Sequence, residues 1–188
     1  MRPLLLAPAP VAALLLAGSG AALAQTADIQ IDAHVTQSCV LGSPSATELD
    51  LGDLTGPDGR LSAALASGAP SLTTTIDVAY CNTPSTLSLD ASPLGLDVTP
   101  GYTTPAGFAR LITYDATLTG WPTVLVDRPV VGDSAKTALA PAAHAASTLH
   151  LSISRLETLN AAGTGANASA VVEAGSYSGT IIIGITVQ

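Results

Sequence analysis

Apolar residues recur at every second position in several separate stretches of this chain, a period that fits an extended strand and not a helix. The fullest case is residues 177–188, Tyr-Ser-Gly-Thr-Ile-Ile-Ile-Gly-Ile-Thr-Val-Gln. Tyr177, Gly179, Ile181, Ile183, Ile185 and Val187 fall on one face, and Ser178, Thr180, Ile182, Gly184, Thr186 and Gln188 on the other. β-Branched side chains at this spacing favour a half-buried strand, because they lose rotamer freedom in a helix and pack well on a pleated surface. No turn or further strand follows, so the apolar face and edge of this strand are expected to be covered by another part of the fold or by another molecule. Residues 27–35 alternate more cleanly still. Ala27, Ile29, Ile31, Ala33 and Val35 point one way, and Asp28, Gln30, Asp32 and His34 the other.

Between these two stretches the same period returns. Residues 71–81 read as a strand, with Leu72, Thr74, Ile76, Val78 and Tyr80 opposite Thr73, Thr75, Asp77, Ala79 and Cys81. Residues 86–91 and 147–155 are further strands, and 108–118 is a strand pair or one long bent strand. Residues 47–52 read as a short strand, and 123–131 as another that Pro129 confines to an edge. Residues 56–59, 82–85 and 120–122 carry turn residues. Residues 60–70 fit either a single helical turn or a loop, and 92–107, 134–147 and 160–170 read as loops. Strands at this spacing, without a long helix, predict an all-β sandwich.

The chain has 188 residues, enough for one domain with a sizeable core. Its first segment stands apart. One arginine, an apolar run over residues 4–16 and small residues at Ala22 and Ala24 before Gln25 make residues 1–24 a secretory signal peptide. A membrane anchor fits less well, since the run is short and is interrupted by Pro8, Pro10, Gly18 and Gly20. Loss of Arg2 with the leader takes the formal charge from −8 to −9. An acidic, lysine-poor surface argues against nucleic acid and anionic lipid as partners. With export inferred, a disulfide between Cys39 and Cys81 is the default pairing. Closing that loop contributes roughly 4 kcal/mol in the chain-entropy view.

No set of residues suited to catalysis stands out. His34, His144 and His150 read as solvated histidines without metal-ligand spacing. Neither a nucleophile elbow nor a phosphate-binding loop is present, Gly163-Thr-Gly165 being too short for one. Asp50, Asp53 and Asp58 miss the calcium-loop spacing. Asn167-Ala-Ser169 matches a glycosylation sequon, a pattern short enough to arise by chance. Trp121 and Tyr102 offer either a sugar platform or turn residues packed on a sandwich rim. The expectation is a protein that is not an enzyme, with no cofactor, no metal and no evident small-molecule substrate.

Four features together resemble a known family. An alternating strand follows the leader and runs into the first cysteine over residues 29–39. Leu49-Asp-Leu-Gly52 comes next, and Ile76-Asp-Val-Ala-Tyr-Cys81 ends in the second cysteine, with Pro84 and Leu87 soon after. Gly175-Ser-Tyr177-Ser-Gly-Thr-Ile181 resembles a final G-x-Y-x-D-T-[VI] strand, except that Gly179 stands at the acidic position. Arg110 and Tyr114 correspond loosely to mid-domain positions. Residues 25–188 thus resemble the spore coat protein U domain, the subunit fold of archaic (Csu-type) chaperone–usher pili. The resemblance implies an immunoglobulin-like, pilin-type sandwich that lacks its seventh strand. A periplasmic chaperone lends that strand first, and the next subunit's N-terminal strand then replaces it, guided by an outer-membrane usher.

On this reading residues 25–37 are the donor strand, with Ala27, Ile29, Ile31, Ala33 and Val35 as its plug, and residues 38–188 are the sandwich domain. Tyr177, Ile181, Ile183, Ile185 and Val187 border the acceptor groove. The product is a cell-surface fibre of neighbouring subunits that supports adhesion or biofilm formation, reached through the periplasm. The alternatives are a secreted adhesin- or lectin-like binding module, or a monomeric envelope protein whose first strand closes its own sandwich.

Overall fold

A computed structural model of the chain describes residues 30–69 and 71–188. The expected signal peptide (1–24), and Ala27 and Ile29 of the expected donor strand, lie outside the described residues. Thr36–Gln188 form one compact unit. Of the other unit, Met1–Val35, residues 30–35 are described and adopt neither strand nor helix. Ile31 is 87% exposed and Val35 79%.

The compact unit is all-β and sandwich-like. Its larger sheet orders β1 (Cys39–Leu41), β2 (Leu72–Cys81), β9 (His144–Thr158), β6 (Leu111–Thr119), β4 (Leu94–Leu96) and β11 (Tyr177–Ser178), with β7 (Leu125–Asp127) also paired to β6. A smaller sheet orders β12 (Ile181–Val187), β3 (Ser85–Ala91) and β8 (Lys136–Ala140). β10 (Val171–Val172) and β5 (Phe108–Ala109) form a short parallel pair. Of the two alternatives for residues 60–70, a single helical turn or a loop, the structure has the first: a one-turn helix, α1 (Ala63–Ser67), stopped by Gly68 at φ 90°. Only glycine adopts that left-handed conformation without strain, and it ends the helix there.

Alternation builds the core. In β3, Leu87 and Leu89 are fully buried, while Thr86 and Ser88 lie half-buried on the other face. Facing them from the larger sheet are Ile112, Tyr114, Ala116 and Leu118 of β6 and Leu149 of β9, all buried. Of three register irregularities in the larger sheet, two redirect later side chains. β2 carries an extra residue between Ile76 and Ala79 against Leu149 and Ser147 of β9. Beyond it Ala79 and Cys81 turn inward and Val78 is 40% exposed, so the expected grouping of Val78 and Tyr80 with Ile76 is corrected. An added residue reverses every later side chain in a strand of period two. β9 does the same at Arg155, which has φ 52°: Leu149, Leu151 and Ile153 face the core before it, Leu156 and Thr158 after it.

Two further expectations change. The residues read as a loop over 134–147 instead supply β8 and the start of β9. Ala138 and Ala140 are buried there, small side chains on the inward face of β8. The final stretch, read as one strand, is two: β11 belongs to the larger sheet and β12 to the smaller. β3 and β4 divide the same way across Pro93. The two crossings lie side by side. Ser92 donates its N–H to Thr180 O at 2.9 Å, and Thr180 N–H returns to Ser92 Oγ at 2.8 Å. Strands that switch sheets together make a closed corner of a sandwich. Gly179 sits inside this corner, where a Cβ would lie 3.1 Å from Ser92 O and 3.1 Å from Leu94 Cδ2. A side chain there would crowd the backbone oxygens of Ser92 and Pro93.

Leu89→Ala removes a fully buried side chain from the central strand of the smaller sheet. It is expected to lower unfolding free energy by about 3 kcal/mol, measured as a shifted urea midpoint at constant m-value.

Candidate functional site

β12 is hydrogen-bonded to β3 along one edge, from Ile181 against Ala91 to Val187 against Ser85. Its other edge has no strand partner among the described residues. Alternate N–H and C=O groups of an edge strand face outward and invite another strand. Its inward side chains are also incompletely covered. Ile181, Ile183 and Ile185 pack on the core yet remain only half-buried.

Beside this edge lies a groove of about 1260 Å³. That exceeds the 300–1,000 Å³ usual for a small-molecule pocket. Its base includes Ile76, Tyr114, Leu151 and Ile153, and one wall is Tyr177, Ile181 and Ile183. Ile185 and Val187 belong to the same strand but lie outside the lining, where β1 comes close to β12. The opposite wall is residues 46–54. After β1 the chain stays near β2, with Gly42 N–H on Val78 O and Ser45 N–H on Thr75 O, both 2.7 Å. Thr74 Oγ1 then holds Ala46, accepting its N–H at 3.0 Å and donating to its carbonyl at 3.1 Å.

Residues 47–52 do not form the expected strand. Leu49 and Leu51 turn toward the core, but Asp50 Oδ1 accepts Gly52 N–H at 2.8 Å and Asp53 Oδ1 accepts Thr55 N–H at 2.9 Å. Aspartates that bond their own backbone two residues on offer it an alternative to a ladder. The groove therefore lies between an unpaired strand and a segment that has the apolar alternation of a strand without its pairing.

Its far end is pinned by tyrosines. Tyr114 donates to Ser92 O at 2.8 Å and so ties the core to the sheet-switching corner. Burial, and then the charge of Asp127, pushes its pKa up to about 12. Tyr177 Oη lies 2.8 Å from Glu173 O and 3.1 Å from Ala109 O. Burial first, then the Glu173 carboxylate, raises it also to about 12.

The chain's entry into the unit is clamped separately. Cys39 and Cys81 form the expected disulfide and sit opposite one another in β1 and β2. Asn82 accepts Ser38 N–H on Oδ1 at 2.7 Å and donates Nδ2–H to Thr36 O at 2.8 Å. Neither the Asn82 clamp nor the wall at residues 46–54 emerges from strand period alone. The signals for them are an asparagine directly after a paired cysteine and the Leu49–Leu51 alternation.

The remaining singled-out residues do not converge. Trp121 is buried and meets His144 edge-on, with ring centroids 4.3 Å apart, at the start of β9 and not in a solvated loop. Tyr102 is hydrogen-bonded to Glu173, so the two aromatics form no shared exposed platform. His34 and His150 are exposed. Among the described residues, no group of three His, Cys, Asp or Glu side chains is placed to hold a metal ion. Arg128 instead uses its fork structurally, joining Asp115 and Glu157 of neighbouring strands at 2.5 Å each. No protein-family model matches this chain, and no curated protein sequence does.

The tyrosines give a pH test with a definite sign. A group whose pKa is higher in the folded protein contributes its full stability below the unfolded value and loses it as pH rises through the folded value. Tyr114 and Tyr177 therefore weaken the fold between pH 10 and about 12. The Tyr114→Phe/Tyr177→Phe protein is expected to be less stable than wild type at pH 8 and to lose less stability from pH 9 to 11.5, followed by denaturant titration at each pH.

Proposed function

We propose that this protein is a structural subunit of an exported surface fibre, assembled by strand donation. The apolar strand of residues 27–35 from one copy enters the groove beside β12 of the next. The observation that carries this reading is the unpaired edge of β12, with half-buried isoleucines, beside an apolar groove larger than a small-molecule pocket.

The donor side has the matching property. Its alternating face carries Ala27, Ile29, Ile31, Ala33 and Val35. Burying Ile29, Ile31 and Val35 against apolar surface contributes roughly 5–9 kcal/mol at about 1.5–3 each, with backbone bonds to β12 in addition. That is comparable with the whole stability of an ordinary domain, about 5–15 kcal/mol. The resemblance to the spore coat protein U domain points the same way, and supplies the expectation of a chaperone that guards the groove and an usher that exchanges it. The pilin-type arrangement of an immunoglobulin-like sandwich belongs to this proposal too. Donation from each copy to the next is a contact that does not close on itself, and it builds a filament and not a ring.

Purified mature protein is expected to form SDS-resistant ladders or fibres that survive moderate heating. The Ile29→Asp/Ile31→Asp variant is expected to give none, because two charges would enter the apolar groove. A wild type that stays a cooperative, stable monomer at every concentration tested would overturn the proposal.

A further inference from the structure

The groove is apolar inside and acidic around its rim. Glu48, Asp50, Asp53 and Glu173 line it, and none of its lining residues is Lys, Arg or His. Glu48, Asp50 and Asp53 are exposed. Asp53 is held below the usual carboxylate range by hydrogen bonds from Thr55 N–H and Thr55 Oγ1–H, so it is ionised across neutral pH. Glu173 is half-buried, with Oε1 accepting from Tyr102 and Oε2 buried without a hydrogen-bond partner.

The strand proposed to enter carries the same sign. While Ala27, Ile29, Ile31, Ala33 and Val35 face inward, the opposite face presents Asp28, Gln30, Asp32 and His34 toward the rim. It contributes two carboxylates and, with histidine neutral, no cation. Like charges brought together at an interface slow encounter and weaken binding, and both effects shrink once salt screens beyond about 10 Å at 0.1 M.

We infer that the groove's preferred occupant is an extended strand with branched apolar side chains inward and basic residues on its outer face, supplied by a partner protein, and that donation of this chain's own strand is held back by charge. This rests on the strand-donation reading and adds a salt dependence. At low ionic strength a cationic strand outcompetes this chain's own, and self-association is slower there than at high salt. The acidic rim thus discriminates between occupants with the same apolar pattern, which the apolar contacts alone do not do.

The test uses mature protein carrying Ile29→Asp/Ile31→Asp, which keeps the groove but cannot donate. Two synthetic peptides are titrated into it at 20 mM and 500 mM NaCl: residues 26–37 as they stand, and the same peptide with Asp28→Lys and Asp32→Lys. The lysine peptide is expected to bind about tenfold more tightly at low salt, a steering-sized effect, with the difference closing at high salt. Glu48→Gln/Asp50→Asn in the protein is expected to reduce that preference severalfold, because both side chains are exposed and keep their polar atoms. Equal affinity of the two peptides at low salt, or a preference untouched by the rim substitutions, would overturn the inference and leave strand donation standing. Failure of both peptides to bind at either salt would overturn strand donation itself.

Discussion

Two sheets of a sandwich bury each other's inner faces only while a full complement of strands stands on both sides. Here the smaller sheet has three strands, and β12, one of its two outer strands, borders a groove. Several features of this side of the molecule accompany that groove. The isoleucines of β12 remain half-buried, its outer backbone edge is unpaired, and the chain at residues 46–54 runs past at a distance without forming a ladder. The groove lies between the unpaired edge of β12 and residues 46–54.

Its position is set by the corner at the other end. β3 and β12 leave the smaller sheet side by side, across Ser92-Pro93 and Gly179-Thr180, and enter the larger one as β4 and β11. The reciprocal bonds between Ser92 and Thr180 lock the two crossings together, and the Tyr114 hydroxyl fastens them from inside. Both strands turn at one place, so the sheets are joined there, next to Ile181–Ile183 of the groove wall. A glycine at 179 is what lets the backbones approach closely enough for this.

Charge divides the surface by role. The chain has only six Lys and Arg residues. Arg128 and Arg155 meet Asp115, and Lys136 meets Asp127 and Asp133, so these cations serve the body of the domain. None lines the groove, and the carboxylates at its rim stay without a counter-ion from its own lining. Charge of one sign around an apolar groove favours the approach of groups of the opposite sign.

The sequence by itself determined the class of fold, the pairing of Cys39 with Cys81 and most inward faces, because strand period and the presence of only two cysteines are local facts. Leu87, Leu89, Leu149, Leu151 and Ile153 are legible in that way. It did not determine which sheet each strand joins. The split of residues 177–188 depends on pairing with Ala91 and Leu96, far away in the chain, and the faces of Ala79, Cys81, Leu156 and Thr158 depend on bulges set by cross-strand register. The Ala-rich strand β8 was hidden because small residues carry little periodic signal until a neighbouring face demands them. Residues 47–52 misled in the opposite sense: their alternation is that of a strand, but aspartates bonded to their own turns keep it unpaired. Half of the candidate site, the alternating apolar edge at Tyr177, Ile181 and Ile183, was written in the local pattern. The other half, a second wall with an acidic rim, exists only where tertiary packing brings residues 46–54 across from β12, since no local pattern records a distance between segments more than a hundred residues apart.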